Sequence, residues 1–163
     1  MRKIKWVLGM LALVAGSSPG FAQSAGNIDR TAFYQAIRQD KKDLVNEQLK
    51  ILKMAPAELR QAFEGALTMK KAGLGGSPPQ KLKLFRQGRH ELEAAIKRDQ
   101  NNVEYRFLRL IIQENSPAVL GYRDDLPGDR RIIEKSYKTL PGELQRVIED
   151  YSKKSKILKL QVS

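Results

Sequence analysis

Arg106, Arg109 and Gln113 recur at three- and four-residue spacing, so on a helix they form one polar stripe. Two guanidinium groups on a rigid element can clamp a carboxylate or a phosphate bidentately. Asn115 and Tyr122 follow close behind and add neutral donors. Arg106, Arg109, Gln113, Asn115 and Tyr122 are therefore the candidate binding residues. Their competing role is internal pairing with Glu104, Asp99 or helix carbonyls.

Catalytic chemistry finds few parts here. His90 is the sole histidine. The run His90-Glu91-Leu92-Glu93-Ala94 begins like a zinc-protease helix, but Ala94 stands where the second ligand is required. With no Cys, a conventional zinc site has no ligand set. His90 would also be the only base for a Ser–His nucleophile, and it falls on a polar helix face, where a histidine is solvated. Gly73-Leu74-Gly75-Gly76 lacks the Gly-Lys-Ser/Thr that would make it a phosphate loop. Asp124, Asp125 and Asp129 do not match calcium-loop spacing and are expected to cap the helix that follows. The expectation is a protein that is not an enzyme, with no cofactor and no metal.

The arginine stripe must be positioned by the stretch Asn101 to Glu114. Val103, Tyr105, Phe107, Leu108, Leu110, Ile111 and Ile112 sweep roughly 220° of a helical wheel, well beyond the ~100° stripe of a surface helix. A helix over 102–114 is thus buried from more than one side, and other helices must pack around it. Asn101 serves as its N-cap with Glu104 at N3, a capping-box arrangement. Asn115, Ser116 and Pro117 stop it.

Around it the chain reads as all-α, because no segment sustains period-two alternation. About seven helices are expected, in antiparallel hairpins. The first runs from Asp29 to Gln39, and Asp40 caps the second, Lys41 to Lys53. A third starts at Pro56, and its Ala62, Gly65 and Ala66 leave room for a close neighbour. Gly73 to Pro79 breaks the chain as a loop within one domain. The fourth helix spans Lys81 to Asp99, and Asp99-Gln100 turns it directly into the central helix as an antiparallel hairpin. A sixth runs from Pro127 to Lys138. The seventh starts at Pro141, with Leu144, Val147, Ile148 and Tyr151 at i, i+3, i+4, i+7.

The start of the chain fits a secretory signal, residues 1–22. Arg2, Lys3 and Lys5 are the basic region, and Trp6 to Ala15 is an apolar run of about ten residues, too short for the ~20 of a membrane span. Small residues lead to cleavage between Ala22 and Gln23. The expected mature chain is one helical domain, 23–163, with a flexible linker at 24–28 and a basic, fraying tail at 152–163. It would be exported, periplasmic or secreted, with no transmembrane span.

Thirty Lys and Arg against 18 Asp and Glu give a formal charge of +12, and removing Arg2, Lys3 and Lys5 leaves +9. Such a surface favours anionic partners, and in an exported protein those are lipid headgroups, glycans or acidic proteins, not nucleic acid. Lys153, Lys154, Lys156 and Lys159 lie beside Ile157, Leu158 and Leu160, so the tail combines charge with apolar bulk as a candidate anionic-surface contact. Without Cys there is no disulfide framework, and stability must come from an apolar core.

Two resemblances add to this. Leu84 to Ile112, with Gly88, Ala94-Ala95 and the Asp99-Gln100-Asn101-Asn102 turn, resembles one tetratricopeptide-type helical pair, with Gln100 where that family usually has Pro. That likeness implies an irregular tetratricopeptide-like array or bundle. From Glu64 onward, the phrases KLKLFRQGRHELEAAIKRD, NNVEYRFLRLIIQENSPAVLGY and DYSKKSKILK resemble a group of small exported bacterial proteins without assigned activity. The expected role is an exported, non-catalytic helical scaffold that binds a protein or peptide in the cell envelope. The alternative is a peripheral binder of anionic lipid or glycan.

Overall fold

The computed structural model describes residues 28–160. The expected signal segment, the Ala22–Gln23 cleavage point and residues 24–27 of the linker lie outside that range. Seven α-helices fill it: α1 (Arg30–Arg38), α2 (Lys42–Leu52), α3 (Ala57–Gly73), α4 (Pro78–Arg98), α5 (Val103–Asn115), α6 (Leu126–Ser136) and α7 (Gly142–Ser152). Short 3-10 turns occupy Ala118–Leu120 and Tyr137–Thr139, and the described residues contain no strand. The fold is all-α. No helix among the described residues is long and apolar enough to cross a membrane.

α5 is the axis of the core. Nine of its 13 residues are buried, among them Phe107, Leu108 and Leu110 with no exposed surface. The Phe107 ring lies 5.5 Å from that of Tyr34 of α1, tilted, and 5.5 Å from that of Tyr151 of α7, edge-on, which joins three helices at one ring. Phe33, Phe63 and Tyr105 extend the aromatic cluster toward α3. One apolar cluster draws residues from all seven helices.

The tight pair is α3 with α4. Gly65 and Gly88 face each other where these helices cross: a Cβ built on Gly88 would lie 2.5 Å from the Gly65 carbonyl oxygen, and one on Gly65 would lie 2.7 Å from the Gly88 oxygen. The small residues of the third helix do admit a close neighbour, as their sequence implies. Gly88, however, serves this crossing and not the α4–α5 pair suggested by the DQNN turn; α4 and α5 touch over far less of their length. Gly88→Ala is therefore expected to destabilise by about 1–3 kcal/mol, because backbone atoms must part to admit the methyl. Gly73→Ala, with nothing within 4 Å, should be neutral or slightly stabilising. Urea denaturation of the two variants checks the contrast.

Several local expectations need correction. The N-cap of α5 is Asn102, whose side chain accepts the Tyr105 amide at 3.1 Å, so the box with Asn101 does not form. Glu104 turns instead to α1, taking Arg30 through bonds of 2.8 and 2.9 Å and the Tyr34 hydroxyl at 3.3 Å. A long-range guanidinium gives two charge-assisted bonds where the cap amide could give one. Asp40 does not cap α2; it pairs with Lys70 of α3 at 2.7 Å. Ile28, assigned to the linker, is 7% exposed and joins the core. α4 begins at Pro78, with Pro at both opening positions, where missing amides cost nothing. The Gln80 side chain accepts the Ser77 amide there at 3.0 Å.

The C-terminal segment does not fray up to residue 160. Glu114, near the end of α5, accepts the Tyr151 hydroxyl (2.7 Å), the Ser155 hydroxyl (2.6 Å) and the amides of Lys156 (2.6 Å) and Ile157 (3.3 Å). Leu158 is fully buried beneath this clasp. Burial pushes the Glu114 pKa up, but these donors outweigh it and hold the carboxyl below its usual range.

Candidate functional site

The stripe Arg106, Arg109, Gln113 does not face solvent, because α6 covers it. Asp129 sits in the first turn of α6 with no exposed surface. Its Oδ2 accepts Arg109 Nε at 2.7 Å, and its Oδ1 accepts Arg109 Nη2 at 2.8 Å and Arg106 Nη1 at 3.0 Å. The bidentate geometry proposed for a ligand is thus occupied by a residue of the chain itself. Arg109 Nη1 also reaches Glu93 of α4 at 2.9 Å and Asp125 at 3.4 Å, while Arg106 donates twice to the Gln100 carbonyl. Internal pairing holds these groups, but through Asp129, Glu93, Asp125 and the turn carbonyl of Gln100, not through Glu104, Asp99 or a helix carbonyl.

The remaining candidates divide. Gln113 is fully buried and donates to Asp125 at 3.0 Å, and Tyr122 donates to Glu93 at 2.5 Å with Arg89 stacked 4.5 Å above its ring. Both belong to the same ionic network. Asn115 does not: it donates to the Ile111 carbonyl at 2.8 Å and to the Tyr151 hydroxyl at 3.1 Å, on another side of α5. Burial pulls the Arg109 pKa down, yet the Asp129 bond and the charges of Asp129, Glu93 and Asp125 leave it raised. Burial, then the bond to Glu93, raises the Tyr122 hydroxyl, which stays a protonated donor.

Asp125 and Asp129 therefore act as counterions, and neither side chain caps α6. Neither Glu93 nor Asp129 is among the candidate binding residues read from the sequence, where Asp129 is expected only to cap α6. Asp129 had a legible signal, since it shares an i, i+3, i+7 stripe with the buried Leu126 and Ile133. A carboxylate on an apolar stripe needs a partner from outside its own helix. Glu93 had none, because it lies at the edge of the α4 face.

His90 is exposed, with its side chain 80% accessible and Glu91 at 3.7 Å. Among the described residues no group of three or more His, Cys, Asp or Glu is arranged to hold a metal ion. The four tail lysines do not form one patch. Lys153 pairs with Asp150 at 3.0 Å, Lys154 faces a groove, Lys156 lines a separate notch beside α6, and Lys159 is exposed. Of their apolar neighbours, Leu158 is fully buried and Leu160 packs against the core, while half-buried Ile157 lines the notch beside Lys156.

That groove holds about 1360 Å³ and is framed by the C-terminal ends of α1, α3, α5 and α7 and the first turns of α4. Ile37, Met69, Phe85, Ile112 and Tyr151 give it an apolar surface, and Asn115 is the one sequence candidate from α5 that lines it besides the tail residue Lys154. Leu82, 38% exposed, and Val119, 91% exposed, stand on its walls. Arg38, Lys81 and Lys154 also line it and enter no salt bridge among the described residues.

No family model matches the chain, and no curated protein or solved structure matches it either.

Proposed function

We propose that the chain is an exported, non-catalytic helical binding protein that takes an apolar segment of a protein or peptide with acidic flanks. The observation carrying this reading is the groove beside α4. Its volume of about 1360 Å³ exceeds the ~300–1,000 Å³ of ordinary small-molecule pockets, which favours a chain-like occupant. Its apolar surface supplies affinity, and Arg38, Lys81 and Lys154 offer charge to acidic residues at the segment's ends. The signal-like first 22 residues support export, and the envelope is then where the partner is met.

Selection from a displayed library of random twelve-residue peptides tests the reading. Enriched peptides should carry an apolar centre with Asp or Glu at the margins. Leu82→Asp and Val119→Asp together should weaken them at least tenfold, since they place like charge against those margins and remove apolar contact. Selected peptides that bind this variant as well as the parent would defeat the proposal. A second reading, peripheral binding of anionic lipid or glycan, is favoured by the charge of +9 left without Arg2, Lys3 and Lys5 and by the basic notch beside α6.

A further inference from the structure

A second concavity lies between the start of α6 and the C-terminal segment, and it shares no lining residue with the groove. It holds about 360 Å³ and is walled by Arg130 and Arg131 of α6 and Lys156 of the segment, with Leu126 and Ile157, and Glu134 is the one acid that lines it among the described residues. Arg130 is engaged by Glu134 at 2.8 Å. Arg131 and Lys156 are exposed and enter no salt bridge among the described residues. Among the described residues, three cations and one carboxylate leave the notch with two uncompensated positive charges.

The backbone that presents Lys156 is fixed. Its amide donates to Glu114 at 2.6 Å, and Leu158 two residues on is fully buried. Arg131 stands on the helix that Asp129 anchors to α5. The two free cations therefore project from elements both tied to α5, by Glu114 and by Asp129. Such fixing lowers the ordering cost of binding, which flexible tail lysines would have to meet in full.

We propose that this notch binds a phosphate group carrying two negative charges, supplied either as free inorganic phosphate or as the monoester headgroup of an anionic lipid. A phosphate monoester carries about −1.5 to −2 near neutral pH, which matches the excess of two; a carboxylate, with a single charge, leaves half of it uncompensated. A guanidinium offers the paired donors that phosphate oxygens accept, and Lys156 adds a point charge from the C-terminal segment. Leu126 and Ile157 give an apolar margin on which the carbon attached to an ester oxygen can rest. The proposal is independent of the peptide reading, because the two concavities have no residue in common.

The test uses the full chain and two probes. One is inorganic phosphate, followed by titration calorimetry. The other is sedimentation with phosphatidylcholine vesicles, plain or containing phosphatidic acid. Binding to at least one phosphate-bearing probe is expected, and plain vesicles set the background. Arg131→Gln with Lys156→Gln should weaken it by roughly twenty-fivefold, with loss of about fivefold for each charge. Lys42→Gln with Lys50→Gln, the same charge change at exposed positions on α2, should stay within about twofold. Saturation by inorganic phosphate without lipid binding identifies a soluble source, and the reverse identifies a headgroup. The proposal is overturned if neither probe binds, or if the two double variants lose binding equally. Thermal melting of the same samples should show all three proteins folded, since the four replaced side chains are exposed.

Discussion

Replacing Arg106 and Arg109 together by Gln should cost about 3–5 kcal/mol of stability, because it strands Asp129 in the core without a cation. Asp129 has no exposed surface, and in the parent its two oxygens take three guanidinium bonds of 2.7 to 3.0 Å. Arg109 also holds Glu93 and Asp125, so its loss loosens α4 and α6 from α5 at the same point. The pair need not be worth that much in itself. Removing two charges from water has already cost much of what their attraction returns, and the large penalty comes from leaving one alone. Arg109→Met combined with Asp129→Leu should therefore recover part of the loss. Chemical denaturation of the double-Gln and Met/Leu variants decides the matter. A double-Gln variant that melts like the parent would show that the network is not structural, and would return the arginines to the list of ligand groups.

Phe107→Ala is expected to cost a similar ~3–5 kcal/mol by a different route. The ring is fully buried and in contact with Tyr34 and Tyr151, so truncation leaves a hole that α1, α5 and α7 all border. Three helices fixed by other contacts cannot collapse together to fill it, and the cavity contribution adds to the lost transfer energy. The edge-on pair with Tyr151, whose planes meet at 83°, adds ~0.5–1.5 kcal/mol beyond area alone. His90→Ala, on a side chain 80% exposed, should change stability by less than ~0.5 kcal/mol. Urea midpoints measured side by side give the ranking; the opposite order would mean that α5 is packed in another phase.

These two results probe features that differ in how far local sequence could reveal them. Periodicity and composition alone determined that the chain is helical, that about seven helices form, and that 102–114 is enclosed. The 220° apolar arc can be read from one segment because a helix fixes the direction of every side chain relative to its neighbours. The breaks at Pro56 and Pro117 were legible for the same reason, since backbone restriction acts within a residue or two; the expected loop 73–79 shrinks to 74–77, because Gly73 ends α3 and the two prolines open α4. The tertiary structure decided which polar groups meet. Asn102 and not Asn101 caps α5, and Glu104 leaves the cap, because Arg30 of α1 arrives 74 residues away. Asp129 holds the arginine stripe from 20 residues on, and Glu114 gathers a C-terminal segment that charge and position made look free. Carboxylates and guanidinium groups bond any suitable partner that packing brings within ~3 Å, and nothing in their own neighbourhood of the chain names that partner. The groove and the notch arise in the same way, as spaces left between elements that the chain places far apart.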